Sequence, residues 1–216
     1  MRIAILAHNL RVAGGLSVGK NVIASLARVA PQHEYLLILP AGVGYEAVEK
    51  PCTATCRFYQ RKLGRIGQLL YEHWTMPGQV RRFEPDVIWG LGNFGLARPS
   101  APQAVYVQNA YLLYDPAEQS RRFWRRSHIT HLEIHRLRMC LPVTQIVLCQ
   151  KQTMAKRFRR VFNYGGEVAV MPNAVSTLIP SCEGADRPEV FDRLEGRFVL
   201  FCLAKYYRHK NLGVLL

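Results

Sequence analysis

Two adjacent glycines, Gly14 and Gly15, stand where a phosphate group could bind. They follow an apolar segment at residues 2–7 that predicts a buried strand, and they precede residues 16–30, whose apolar spacing predicts a helix. Glycine lets the backbone approach a ligand closely, and a helix N-terminus offers unpaired N–H groups and the positive end of a dipole. The order of strand, glycine pair and helix favours a phosphate site over a flexible turn that merely needs positive φ.

The same segment nearly matches a P-loop, because Gly14 is followed by Gly19 and Lys20. The next residue is Asn21, whereas the motif needs Ser or Thr there to hold magnesium. Gly19 and Lys20 also fall inside the predicted helix rather than in a loop. These departures disfavour a P-loop nucleotide-binding protein, which is kept as an alternative.

Two lysines, Lys205 and Lys210, lie five residues apart after the last predicted strand, at residues 197–204. Basic residues are unfavourable at a helix N-terminus because they oppose the helix dipole. Their position at the carboxyl end of a strand therefore indicates an anionic ligand such as a diphosphate. The alternative is an ordinary basic start of a helix.

The chain is basic, with a formal net charge of +14, and the excess is concentrated in residues 121–160. The segment 121–126 reads RRFWRR and places two aromatic rings between pairs of arginines, as suits an interface with lipid headgroups. The candidate anion or membrane patch consists of Arg121, Arg122, Trp124, Arg125 and Arg126. Among binding partners an anionic membrane surface is favoured over nucleic acid, which is not expected, and an ordinary solvated helix face remains the leading alternative.

No metal site is expected. Cys52 and Cys56 have no second close pair of ligands, and His128, His131 and His135 lie along a helix face without a completing Cys, Asp or Glu. Two of these histidines are two helical turns apart, about 10 Å, which is too far for one ion. The six cysteines are spread along the chain and do not predict a small disulfide scaffold.

The elements that must position these residues alternate between strands and helices. Strands are predicted at residues 2–7, 35–39, 56–60, 87–90, 104–107, 145–149 and 167–173. Helices are predicted at residues 16–30, 65–83 (interrupted near Pro77–Gly78), 117–140 and 151–162. The strands are apolar without period-two alternation, as expected when both faces are buried, so the fold class is α/β with a doubly wound, Rossmann-like parallel sheet.

The chain is expected to divide into a domain at residues 1–175, a linker at 176–197 and the start of a second domain at 198–216. No apolar run approaches the ~18 residues of a membrane span. The apolar core at the N-terminus is shorter than that of a signal peptide. We expect a cytoplasmic protein that is at most peripherally bound to a membrane. The sequence stops inside a predicted helix, so we expect either a piece of a longer protein or the product of a truncated gene.

Three segments together resemble family-4-type glycosyltransferases of the GT-B fold. Residues 3–27, IAILAHNLRVAGGLSVGKNVIASLA, are similar to the first strand, Gly-Gly loop and first helix of that family. Residues 168–176, VAVMPNAVS, resemble its strand and Pro-Asn-Gly-Val element, with Ala174 in place of the usual glycine. Residues 198–216, FVLFCLAKYYRHKNLGVLL, resemble the opening of its second domain.

The resemblance implies roles for individual residues. Gly14 and Gly15 would lie against the phosphate or the transferred sugar of the donor. Lys205 occupies the family's Arg position and Lys210 its Lys position in the clamp on the donor diphosphate, and a lysine gives a point charge instead of a bidentate fork. The segment VYVQNAY matches the strand end where many relatives have His and then Asp. Gln108 and Asn109 stand there instead, and they are able to hydrogen-bond sugar hydroxyls but not to act as a general base.

The function implied is that of a retaining glycosyltransferase, which moves a sugar from a nucleotide-sugar donor to a glycan or lipid-linked acceptor. The fold class needs no metal or cofactor, because main-chain N–H groups and cations stabilise the leaving diphosphate. The family's pair of glutamates, seven residues apart, is absent from this sequence, so the chain alone is expected to be inactive or nearly so. The alternative is a non-catalytic module that binds membrane or glycan.

Overall fold

The computed structural model describes residues 1–61, 64–114, 128–173 and 189–199. Within these residues the strands are β1 (Arg2–Leu6), β2 (Glu34–Pro40), β3 (Ala54–Tyr59), β4 (Val87–Gly90), β5 (Gln103–Val107), β6 (Ile146–Cys149) and β7 (Glu167–Val170). All neighbouring pairs are parallel, and the order across the sheet is β3-β2-β1-β4-β5-β6-β7. The predicted doubly wound parallel sheet is confirmed. The direction of strand succession reverses between β1 and β4, which is where such sheets open a ligand crevice.

The described helices are α1 (Ala13–Val29), α2 (Gly64–Leu70), α3 (Met76–Phe83), α4 (His128–Cys140) and α5 (Gln152–Phe162). The chain divides into two compact units. The first comprises Met1–Gln119 and Arg126–Ala174, and the second comprises Ser120–Arg125 and Val175–Leu216. In the described part of the second unit, a 3₁₀ helix spans Glu189–Leu194.

Both faces of the sheet are buried, which explains the continuous apolar strands. In β1, Ile5 packs on one face in the cluster that includes Ile23 of α1. The neighbouring Leu6 packs on the other face with Met76 and Val80 of α3. Each fully buried side chain of this size contributes about 1.5–3 kcal/mol to folding.

The regular α-helix predicted over residues 65–83 is interrupted just before Pro77–Gly78, but the chain stays helical there. A π-helical turn, Tyr71–Thr75, joins α2 directly to α3. Pro77 has no N–H to donate and lies in the first turn of α3, while the N–H of Met76 bonds the carbonyl of Tyr71 five residues earlier. The wider π-helical turn accommodates the hydrogen bond that Pro77 is unable to donate, so the helix continues past Pro77.

The connection between β4 and β5, residues 91–102, carries no helix. The flanking crossovers do carry helices, and these lie on one face of the sheet. Ile88 of β4 packs with α3, and Val105 of β5 packs with Leu137 of α4. Because Ile88 is paired with Gln103, which lies two residues before Val105, both apolar residues point to the same face. A gap is therefore left between α3 and α4.

In the described part of the chain, no helix has both the length and the apolar character that crossing a bilayer requires.

Candidate functional site

Three loops meet at the carboxyl edge of the sheet where the strand order reverses. The amide of Asn9, after β1, donates to the carbonyl of Gly92, after β4, over 2.6 Å. Oδ1 of Asn93 accepts from the backbone N–H groups of Gln108 and Asn109, after β5, each over 2.8 Å. These bonds hold the three loops together at the edge where ligands bind in open α/β sheets.

The glycine pair lies in the first turn of α1, not in the preceding loop as predicted. The helix begins early because Ala13, with φ +52°, turns the chain directly after the extended Val12. Val12 gives no side-chain cap, and the first turn contains no acidic residue. The N–H of Leu16 already bonds the carbonyl of Val12, whereas the N–H groups of Ala13, Gly14 and Gly15 have no intrahelical or side-chain capping acceptor, and the positive end of the helix dipole there favours an anion.

Gly14 is exposed, and a Cβ placed there would meet no atom within 4 Å. At Gly15 a Cβ would lie 3.2 Å from Cδ2 of Leu10. Gly14 thus faces open space that a phosphate is able to occupy, whereas Gly15 allows the helix to pack on Leu10. Sequence reasoning placed both glycines against a ligand, and that role stays a prediction.

Arg11 adds a cation to the loop between β1 and α1, and the sequence analysis overlooked it. Its Nη2 donates to the carbonyl of Ala41, after β2, over 2.9 Å. Its Nη1 is buried and has no hydrogen-bond partner among the described residues. A guanidinium held in this way adds positive charge to the same edge of the sheet as the start of α1.

The P-loop alternative finds no support in the geometry. Gly19 is buried in α1, where a Cβ would collide with the hydroxyl of Tyr45. Nζ of Lys20 lies 5.9 Å from the centroid of the Tyr45 ring. Both residues are within the helix, as predicted, and their contacts serve its packing against the loop after β2.

The two amides predicted to contact sugar lie at the carboxyl end of β5, and they also hold the neighbouring loops. The amide nitrogen of Gln108 donates to the carbonyl of Leu91 over 2.7 Å. The side chain of Asn109 accepts from the N–H of Tyr111 over 3.1 Å and donates to Glu133 over 3.3 Å. These hydrogen bonds hold both side chains in place, and sugar contact by Gln108 and Asn109 stays a prediction.

A buried charged cluster, which sequence reasoning missed, lies beside these loops. Nε2 of His8, directly after β1, is 2.7 Å from Oε1 of Glu72 in the π-helical turn. The other oxygen of Glu72 contacts the guanidinium of Arg136 in α4, and Gln68 donates to Oε1 over 2.9 Å. One carboxylate thereby joins β1, the α2–α3 helix and α4.

Burial lowers the pKa of His8 from 6.5 to about 3, and the charge of Arg136 adds to the effect. The ring is therefore neutral at pH 7 and uses its Nε2–H to donate to Glu72, which leaves Nδ1 as a bare acceptor. Nδ1 is buried without a hydrogen-bond partner among the described residues. Burial also lowers the pKa of Arg136 to about 10, so Arg136 remains charged and stabilises Glu72 as a carboxylate.

Several predicted residues lie outside the described part of the chain. These are Lys205, Lys210 and the patch formed by Arg121, Arg122, Trp124, Arg125 and Arg126. Within the described ranges no group of three His, Cys, Asp or Glu side chains is placed to hold a metal ion. Cys52 and Cys56 are free thiols there.

No protein-family model and no curated protein match the chain by sequence. Two crystal structures of Anabaena Alr3699/HepE match its fold, one in complex with UDP and glucose and one with UDP. Their identities are 16% and 14%, and the TM-score is 0.50 for each. Each match covers 82% of this chain and 45% of the HepE chain, so this chain spans about half of that protein's length. The likeness supports the GT-B-like fold and does not single out family 4.

Proposed function

We propose that this chain is the acceptor-side part of a glycosyltransferase that transfers a sugar from a nucleotide-sugar donor. The start of α1 carries the proposal. It offers uncapped N–H groups and open space at Gly14, at the edge where the strand order reverses. The fold likeness to a protein solved with UDP and glucose supports a nucleoside diphosphate as the anion.

The proposed chemistry needs only groups of the protein. As the bond between the sugar and the diphosphate breaks, negative charge develops on the leaving oxygen. The N–H groups near Gly14 would stabilise that charge, which is the usual means of lowering such a barrier. For Lys205 and Lys210 the same role is implied by the sequence resemblance alone. Gln108 and Asn109 would orient sugar hydroxyls, since their amides donate and accept but do not take up a proton.

The same proposal has three further parts. The configuration at the transferred carbon is retained, the acceptor is a glycan or a lipid-linked molecule, and the enzyme works at the cytoplasmic face of a membrane. The resemblance in the three motif segments supports retention. The basic segment at residues 121–126 supports the membrane location. Because this chain spans about half of the HepE length, sugar transfer is proposed for the whole glycosyltransferase of which this chain would be a part.

The proposal is tested by titrating UDP and ATP separately into the 216-residue chain in a calorimeter at one ionic strength. We expect UDP to bind and ATP to bind no more tightly than UDP. Lys20→Ala should leave both affinities unchanged, because Lys20 contacts the Tyr45 ring. Preferential binding of ATP that is lost in Lys20→Ala would overturn the proposal in favour of a P-loop protein.

A further inference from the structure

An open groove lies between α3 and α4, above the helix-free connection of β4 to β5. Its cavity has a volume of about 480 Å³, within the range of small-molecule sites. Phe94 and Leu96 of the connection, Met76 of α3, and Leu132 and Met139 of α4 give it an apolar lining. The groove occupies the place on this face where a helix of a regular crossover would pack.

The charged residues of the groove favour an anionic occupant. Among the described residues that line it, Glu72 is the only acid, and Arg136 and His8 already contact its two oxygens. Arg81 and Arg98 are exposed lining residues, and neither forms an ion pair with a described residue. The groove thus combines an apolar lining with uncompensated positive charge.

An exposed apolar stripe continues from the groove along the α2–α3 helix. Ile66, Leu70 and Trp74 follow one another at intervals of four residues, and 72%, 42% and 71% of their surfaces are exposed. Residues at this spacing lie on one side of a helix. Trp74 also lines the groove, so the stripe and the groove are one continuous surface. An exposed apolar surface with cations beside it is typical of a site that meets a partner.

We propose that this surface docks on an anionic membrane, with the stripe at headgroup level, Arg81 and Arg98 on lipid phosphates, and one lipid chain in the groove. Tryptophan is favoured at the boundary between water and lipid, and arginine pairs with phosphate. The surface consists of residues other than the basic segment 121–126. It bears on the membrane location in the proposed function but not on nucleotide binding, so its test and the UDP titration fail separately.

The test is co-sedimentation of the 216-residue chain with phosphatidylcholine vesicles, with and without phosphatidylglycerol. We expect binding only to the anionic vesicles. The double variant Arg81→Glu, Arg98→Glu should lower the partition coefficient about thirtyfold, and Trp74→Ala should lower it about tenfold. All three side chains are exposed, so thermal melting should show an intact fold. Ile66→Ser tests a second apolar residue of the stripe.

Matched controls come from α1, which lies on the opposite face of the sheet. Arg28→Glu reverses an exposed charge, and Val29→Ala shortens a side chain that is 79% exposed. Both should bind as the unsubstituted chain does, within about twofold. Equal binding to neutral and anionic vesicles would overturn the proposal. Unchanged binding by the Trp74 and arginine variants would also overturn it. Release of the chain by inorganic phosphate, but not by chloride of equal ionic strength, would indicate a free-phosphate site instead.

Discussion

Nε2 of His8 lies 2.7 Å from Oε1 of Glu72, although 64 residues separate the two in the chain. The contact joins the loop after β1 to the π-helical turn before α3, and Arg136 of α4 holds the other oxygen of the same carboxylate. Glu72 thus links its own π-helical turn to the loop after β1 and to α4. Because the cluster is buried, loss of one member leaves the others without compensation.

The neutral state of His8 makes stability depend on pH. Its pKa is about 3 in the folded chain, against an ordinary value of 6.5, so only the unfolded chain takes up the proton between these values. The stability that the neutral ring contributes is fully present above pH 6.5 and is lost as the pH falls toward 3. Each pH unit in that range should remove up to about 1.4 kcal/mol of unfolding free energy.

Urea denaturation at a series of pH values checks this dependence. His8→Gln removes the titrating ring, so its unfolding free energy should fall less steeply between pH 6.5 and 4. His131→Gln changes an exposed histidine of α4 and should follow the unsubstituted chain. Identical slopes for His8→Gln and the unsubstituted chain would show that the ring is not buried in its neutral form.

Arg136→Met should destabilise the fold by about 3–5 kcal/mol, because it leaves the carboxylate of Glu72 buried without its cation. The measurement is the free energy of unfolding from urea titration at pH 7. Arg138→Met removes an exposed arginine from the same helix and should change that free energy by at most about 0.5 kcal/mol. Similar losses in the two variants would contradict the role assigned to Arg136.

Gly92→Ala should strain the junction between the loops after β1 and β4. A Cβ at Gly92 would collide with the side-chain amide of Asn9, which donates to the Gly92 carbonyl. We expect a loss of about 1–3 kcal/mol in thermal or urea unfolding. Gly165→Ala is the control, since a Cβ there meets no atom within 4 Å. Equal stability of the two variants would mean that the junction is loose.

Most of the fold follows from patterns that are local in sequence. The apolar runs of β1, β2 and β6 predict buried strands, and burial on both faces predicts a parallel sheet. Two local details could not be predicted. The positive φ of Ala13 draws Gly14 and Gly15 into α1, and the π-helical turn carries the helix through Pro77. Neither follows from the intrinsic preferences of the residues concerned.

The candidate site was predicted in part. The glycine pair and the amides after β5 are recognisable because a ligand edge must follow parallel strands. The cluster of His8, Glu72 and Arg136 was not predictable, since Glu72 lies 64 residues after His8 and 64 residues before Arg136. No spacing rule links residues at that distance, and only the packing of α4 beside the π-helical turn brings them together.

The two lysines expected to hold the diphosphate give a prediction from sequence alone. Lys205→Ala or Lys210→Ala should weaken UDP binding about tenfold, because each removes a charged hydrogen-bond donor. Lys205→Arg should retain or tighten binding, since a guanidinium grips a phosphate with two bonds. Lys156→Ala in α5 is the control with an exposed lysine. Unchanged UDP affinity in both alanine variants would remove Lys205 and Lys210 from the site.

The most direct test of the central claim is UDP binding by Gly14→Val, measured by calorimetry beside Gly78→Val. Neither position has an atom within 4 Å of an added Cβ, so both variants should fold, as thermal melting will report. If the phosphates lie on the first turn of α1, the valine at position 14 fills their space. UDP affinity should then fall at least about tenfold, while Gly78→Val binds normally. Normal UDP binding by a folded Gly14→Val variant would contradict the account.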